Sequence, residues 1–149
     1  MLAAARPLRR DRGSVMLLVP AGVLLVIILA AITVDFSHLY LERRELQSAA
    51  AAAANDAAVA AIDIDRIRAG DDPAEAIDFA AANQIAQISV AAQDVAGSVS
   101  VALVSDGSGR VGVEVTITRV VDYIFAPAVP GGPASKAVTG RAVAYAEVG

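Results

Sequence analysis

The sequence contains no cysteine and no tryptophan, and it has a single histidine, His38. The lack of cysteine excludes a disulfide scaffold, thiolate metal sites and a cysteine nucleophile. One histidine argues against metal sites built from several histidines and against histidine-based triads. No nucleophile, base and orienting group stand in a catalytic pattern, so we predict that the protein is not an enzyme and uses no cofactor or metal.

The residues that are abundant are aliphatic or small. Hydrophobic residues make up 56% of the 149, with 34 alanines and 20 valines, whereas aromatic residues make up only 4%. Intrinsic disorder requires low hydrophobicity and high charge, so it is excluded for most of the chain. The length allows one domain, or one domain with an anchor. The composition predicts an apolar span, an Ala-rich helix, or both.

Residues 14–34 form a run of 21 residues without a charge. A helix of this length is about 30 Å long, which matches the hydrocarbon core of a bilayer. A cleaved signal peptide has a shorter apolar region, with small residues at the first and third positions before the cut. The pair Ala30-Ala31 places Leu29 at that third position, which fits poorly. We predict an uncleaved transmembrane helix; a cleaved signal peptide and a buried soluble helix are the alternatives.

Charge is divided unevenly on the two sides of this span. Residues 1–13 carry four arginines and one aspartate, a charge of +3, and residues 35–149 carry eight basic and fifteen acidic groups, a charge of −7. Positively charged flanks stay in the cytoplasm, so we expect a basic leader at 1–13 inside and the remainder outside. The acidic remainder argues against nucleic acid as a partner.

The helix is expected to continue beyond the membrane over residues 35–61. Neither proline nor glycine occurs from residue 23 through residue 69, and strong helix formers dominate. Leu39 and Leu46 are expected on one face with Phe36 and Tyr40. Farther along, a face of small side chains packs either under the protein's own sheet or against helices of other subunits. Its principal members are Ala50, Ala53, Ala54 and Ala57.

Residues 62–149 are predicted to form a small α+β head. Asp72 is a candidate N-cap with Pro73 at the first helical position, which predicts a second helix at about 73–86 after a link at 62–71. Alternating valines then predict three antiparallel strands, a pilin-like outline. The strands are expected at about 96–104, 110–121 and 136–148.

The connection between the second and third strands is unusually apolar. Tyr123, Ile124 and Phe125 lie in it together with three prolines. We interpret it as a candidate interaction loop that tucks over the sheet, touches the membrane or meets a partner. Asp35, where the helix leaves the membrane, is either a polar end to the span or a partner for an arginine of a neighbouring anchor.

Three successive segments carry a resemblance to a known family. Over about residues 10–60, the sequence resembles the N-terminal module of TadE/TadG-like proteins of Flp (Tad) pilus assembly. The resemblance lies in RDRGSVMLLVP, in the apolar span and in VDFSHLYLERRELQSAAAAAANDAA. The matching positions are Gly13, Asp35, Leu39, Tyr40, Arg43, Arg44, Leu46, Gln47, Ala49 and Ala50.

The resemblance implies a single-pass protein of the bacterial cytoplasmic membrane with its head outside. It would be a non-catalytic minor pilin or pseudopilin-like component of a pilus or related secretion apparatus. Its partners would be the lipid bilayer and other pilus-assembly subunits, contacted through helix packing. Gly13-Ser14 is the candidate leader-peptidase site, but Leu18 stands where processed pilins carry Glu, which suits the permanently anchored TadG-like branch. The alternative is an anchored extracytoplasmic binding module unrelated to pili.

Overall fold

The computed structural model describes residues 12–70, 77–107 and 110–145. It consists of a long helix, two shorter helices and a three-stranded antiparallel sheet, so the predicted α+β class is confirmed. The helices are α1 (Arg12–Ala60), α2 (Ile64–Arg68) and α3 (Phe79–Ala92). The strands are β1 (Ser98–Ser105), β2 (Val111–Asp122) and β3 (Ser135–Tyr145), and a 3₁₀ helix (Ala126–Ala128) lies between β2 and β3.

Helix α1 is the axis on which the rest of the protein is built. Its 49 residues correspond to a length of about 74 Å. In the half that contains residues 16–34, the large apolar side chains are between 43% and 85% exposed. In the other half, Leu46 and the small-residue face are buried by α3 and the sheet. One continuous helix therefore has an uncovered apolar half and a half that forms the core of the head.

The second helix predicted at 73–86 begins later than expected. Helix α3 starts at Phe79, because Asp78 caps it by accepting hydrogen bonds from the amides of Ala80 at 2.8 Å and Ala81 at 3.2 Å. Before it, Ile77 pairs with Ile62 in an isolated antiparallel bridge. The predicted cap, Asp72 and Pro73, lies outside the described residues. The predicted link at 62–71 contains a helix of its own, α2.

The sheet follows the predicted hairpin order, with β2 in the centre. Val113, Val115 and Ile117 of β2 are fully buried, whereas the alternate residues Glu114 and Thr116 are partly exposed. This alternation is typical of an antiparallel sheet with one face on the core. More than half of the buried apolar residues in the described part of the chain are alanines. The core is therefore thin, with helix and sheet backbones close together.

Candidate functional site

The carboxylate of Asp35 binds three successive backbone amides of the connection between β2 and β3. Oδ1 accepts from Ile124 at 2.8 Å and Phe125 at 3.0 Å, and Oδ2 accepts from Ala126 at 2.8 Å. Asp35 is only 6% exposed. A hydrogen-bonded carboxylate is the form in which a buried charge is tolerated. Asp35, the first residue after the uncharged run, thus holds against α1 a loop that lies about ninety residues later in the sequence.

The loop presents these amides because it forms a short 3₁₀ helix that lacks a cap of its own. Phe125 precedes this helix and provides no side-chain cap hydrogen bond, and Pro127 lies in the first turn. The first amides of any helix have no partner within the helix. Asp35 supplies the acceptor for the amide of Ala126, the first of this helix, and for the amides of Ile124 and Phe125, which precede it. The loop is further closed by a hydrogen bond from the amide of Tyr123 to the carbonyl of Ala134, at 2.9 Å.

The protonation of Asp35 depends on this arrangement. Burial by itself raises the pKa of the carboxyl group, but the three amide hydrogen bonds, together with the nearby His38, lower it. The net result is a pKa below the ordinary value for aspartate. The carboxylate is therefore ionised at neutral pH. This role is intramolecular, so pairing with an arginine of a neighbouring anchor is not required to satisfy the charge.

The backbone of the loop is held, but its apolar side chains remain uncovered. Ile124 is 55%, Phe125 44% and Val129 61% exposed. The hydrogen bonds fix the loop backbone to α1 and leave these side chains exposed, so of the three interpretations of the loop, contact with the membrane or with a partner fits better than tucking over the sheet.

A groove lies between α1 and the first residues of β3, the strand that follows this loop. It has a volume of about 430 Å³, and its lining includes Phe36, Tyr40, Arg43 and Lys136. Phe36 is 70% and Tyr40 67% exposed, so they do not share the buried face of Leu46 as the sequence spacing had indicated. Residues 36 and 40 are one turn apart and border β3 across this groove, where their side chains stay exposed.

The alanine face has the opposite environment. Ala50, Ala53 and Ala57 are 0% exposed and Ala54 is 1% exposed. They contribute to the core that α1 forms with the sheet and α3. In this structure the small side chains allow the protein's own backbone segments to approach α1, and no surface is left on them for another subunit. Arg44, the remaining predicted packing residue, is exposed beside Glu45 and Ser48.

A second connection between α1 and the head was not predicted from the sequence. Nη1 of Arg119 lies 2.6 Å from Oε2 of Glu42, and its Nε donates to the carbonyl of Ala96 at 2.7 Å. Arg119 side-chain exposure is 21% and that of Glu42 is 20%. The only sequence signal was a basic residue in the alternating pattern of β2. Its partner is 77 residues away, so local spacing could not identify it.

The candidate leader-peptidase site and the predicted link lie at the start and after the end of α1. Gly13 and Ser14 lie in the first turn of α1. In the predicted link, Asp63 directly precedes α2 and accepts hydrogen bonds from the amides of Asp65 and Arg66. Over the described ranges, no group of three or more His, Asp or Glu residues could hold a metal ion.

The fold and the attachment of the loop to α1 through Asp35 define the class of protein. It has a small α+β head on one half of a helix whose other half is strongly apolar. Within the described residues one helix, Met16–Ala60, is long and apolar enough to cross a membrane. Its most apolar 18-residue window has a mean hydropathy of 2.9, and none of that window is buried in protein.

Comparison with known proteins supports the family resemblance. Residues 13–61 match the model of a family described as putative Flp pilus-assembly TadE/G-like, which confirms the resemblance seen in the sequence. The match includes the apolar half of α1, Asp35 and the alanine face, and it ends before α2. No curated protein and no solved structure matches the chain significantly.

Proposed function

We propose that the protein is a membrane-anchored, non-catalytic minor pilin or pseudopilin-like component of Flp (Tad) pilus assembly or a related secretion apparatus. The observation that carries this proposal is the family match over residues 13–61. That segment contains the whole apolar half of α1 together with the part on which the head is built. The family role in pilus assembly therefore concerns the main structural element of the chain.

The physical argument for the anchor is the uncovered half of α1. Large apolar side chains on all sides of residues 16–34 are exposed in the isolated protein. A helix that is apolar all round is stable only in a protein core or in lipid. The span has the length of a bilayer core, and the basic leader would remain in the cytoplasm. The head, from residue 35 onward, then lies outside.

Helix packing with other subunits would use the membrane half of α1. The alanine face is already buried in the head, so it is not available. The span has no carboxylate, and Leu18 occupies the fifth position after Gly13. Without a charge to neutralise a neighbour's terminal amine, we expect a permanently anchored protein of the TadG-like type. Association within lipid would depend on van der Waals packing.

The proposal is tested in a strain that lacks the gene. We expect loss or strong reduction of surface pili, measured by electron microscopy and by the amount of major pilin in the sheared fraction, with restoration by the full chain. Normal piliation in the deletion strain would overturn the pilus role and leave the alternative, an anchored binding module. That alternative is favoured by one observation: the family match stops at residue 61 and does not include the head.

The N-terminus of the protein in the membrane fraction tests the mode of anchoring. Intact mass should show that the protein is not cleaved after Gly13. A mature protein that begins at Ser14 would instead indicate processing by a leader peptidase. A start near Ile32 would show that the span is removed, which contradicts the anchor.

A further inference from the structure

The end of the head next to the apolar span combines exposed aromatic, aliphatic and basic side chains. Six exposed residues from α1, the loop and β3 lie at this end, and we call them the head base. They are Phe36, Tyr40, Arg43, Ile124, Phe125 and Lys136. Four carry large apolar or aromatic side chains and two are basic.

The position of the head base relative to the span follows from the hydrogen bonds of Asp35. The amides of Ile124 and Phe125 lie 2.8 and 3.0 Å from Oδ1 of Asp35. Asp35 is the first residue after the uncharged run. The side chains of Ile124 and Phe125 therefore start at the level where the span ends, within one side-chain length of the hydrocarbon boundary. Phe36 is one residue beyond that level.

Tyr40 lies at the depth of the lipid headgroups, and the longer side chain of Arg43 extends back toward them. At about 1.5 Å per residue, Tyr40 is about 8 Å beyond Asp35 along α1, and the headgroup layer is about 5–8 Å thick. Side chains of a helix lean toward its N-terminus, which here is the membrane side, so Tyr40 and Arg43 reach back toward that layer. Aromatic side chains are enriched at this depth, and long basic side chains extend to the interface.

The charges of the head base also favour a lipid surface. Among the described residues, neither Arg43 nor Lys136 has an ion-pair partner. Asp35 is buried and fully hydrogen-bonded, which leaves Asp122 as the exposed acidic group next to the loop. This positive surplus contrasts with the charge of −7 over residues 35–149. Basic side chains near a membrane surface are attracted by lipid phosphates.

We propose that the head base lies in the headgroup layer of the bilayer, so that the head is held against the membrane surface. Ile124 and Phe125 insert at the boundary with the acyl chains, and Arg43 and Lys136 contact lipid phosphates. The inference rests on the anchor of the proposed function. It adds a second, peripheral contact with lipid, which Asp35 positions by fixing the loop.

The absence of tryptophan allows a direct test, because any introduced tryptophan is a unique fluorophore. Phe125→Trp and Ile124→Trp are reconstituted as full chains in vesicles of phosphatidylcholine and phosphatidylglycerol, and quenching by brominated lipids is measured. Leu25→Trp, in the span, is the control for insertion. Val59→Trp, which is about 36 Å beyond Asp35 along α1, is the control for the far end of the head.

We expect the fluorescence of the Phe125→Trp and Ile124→Trp variants to be largely lost with lipids brominated near the headgroup end of the acyl chain. Leu25→Trp should respond most to lipids brominated deep in the chain, and Val59→Trp should not respond. If both loop variants behave like Val59→Trp while Leu25→Trp is quenched, the head base is not in the membrane and the anchor stands. If Leu25→Trp is also unquenched, the anchor and the inference are both overturned.

Discussion

Gly140 of β3 lies directly against the backbone of α1 at Leu46. A Cβ atom built on Gly140 would lie 2.5 Å from the carbonyl oxygen of Leu46 and equally close to the amide nitrogen of Gln47. Real side chains do not approach a backbone so closely, so only glycine fits here. This contact sets the distance between helix and sheet, and the small residues on the facing side of α1 maintain it.

Gly140→Ala is therefore expected to destabilise the head by about 1–3 kcal/mol or more, because the added methyl group must displace backbone of α1 or β3. Thermal unfolding of the full chain in detergent, followed by circular dichroism, measures the effect. Gly22→Ala is the matched control, since a Cβ there meets nothing within 4 Å. Equal melting temperatures for the two variants would contradict the close contact.

Removal of the Asp35 carboxylate should release the loop between β2 and β3. In Asp35→Ala the three amides lose their acceptor, and in Asp35→Asn they lose the charge and one of two acceptor oxygens. We expect faster hydrogen exchange at Ile124, Phe125 and Ala126, with the larger effect in the alanine variant. Asp122→Asn, at the exposed end of β2, serves as the control. Unchanged protection in Asp35→Ala would show that the hydrogen bonds do not hold the loop.

Loop attachment should also depend on pH. Because the folded pKa of Asp35 is lowered, the stability from the ionised carboxylate is fully present above the ordinary aspartate pKa of about 3.9. It is lost as the pH falls through the lower, folded value. We expect the amide shift of Phe125 in nuclear magnetic resonance spectra to titrate with a midpoint below about 3.9. A midpoint above that value would mean that burial outweighs the amide hydrogen bonds.

The Glu42–Arg119 pair should contribute more than a surface ion pair. Both side chains are about four-fifths buried, whereas Arg68 and Asp65 of α2 are 76% and 92% exposed. A double-mutant cycle with Glu42→Gln and Arg119→Gln is expected to give a coupling free energy of about 1 kcal/mol. The same cycle on Asp65 and Arg68 should give a value near zero. Equal coupling free energies for the two pairs would contradict the expectation that partial burial strengthens the Glu42–Arg119 pair.

Several elements of the fold could be predicted because their signals are local. The uninterrupted run without proline or glycine predicted α1 nearly to its observed end, and alternating valines predicted β2 nearly to the residue. The start of α3 was missed because two aspartates, Asp72 and Asp78, both precede suitable helical residues. In the structure Asp78 caps α3, and Ile77 just before it pairs with Ile62. This pairing joins residues 15 positions apart, so local spacing does not reveal it.

For the candidate site, the sequence indicated the residue types but not their partners. Asp35 and the apolar loop were both singled out, yet their contact joins positions about ninety residues apart. The exposed side of Phe36 and Tyr40 was also missed, because helical spacing defines a shared face without stating which face the sheet will cover. Such signals identify candidates, and the packing of distant segments determines what they contact.

By itself, the sequence determined a long helix with an apolar half, an alternating three-stranded sheet, the charge asymmetry and the resemblance of the helix to TadE/TadG-like proteins. These properties follow from composition and from periodicities that act over a few residues. Only the tertiary structure decided that Asp35 caps a distant 3₁₀ helix, that Arg119 joins Glu42, and that the alanine face belongs to the protein's own core. The physical reason is that a buried charge or an unpaired amide needs a hydrogen-bond partner, and a small side chain permits close packing. Which distant segment provides the partner or packs there depends on the whole fold.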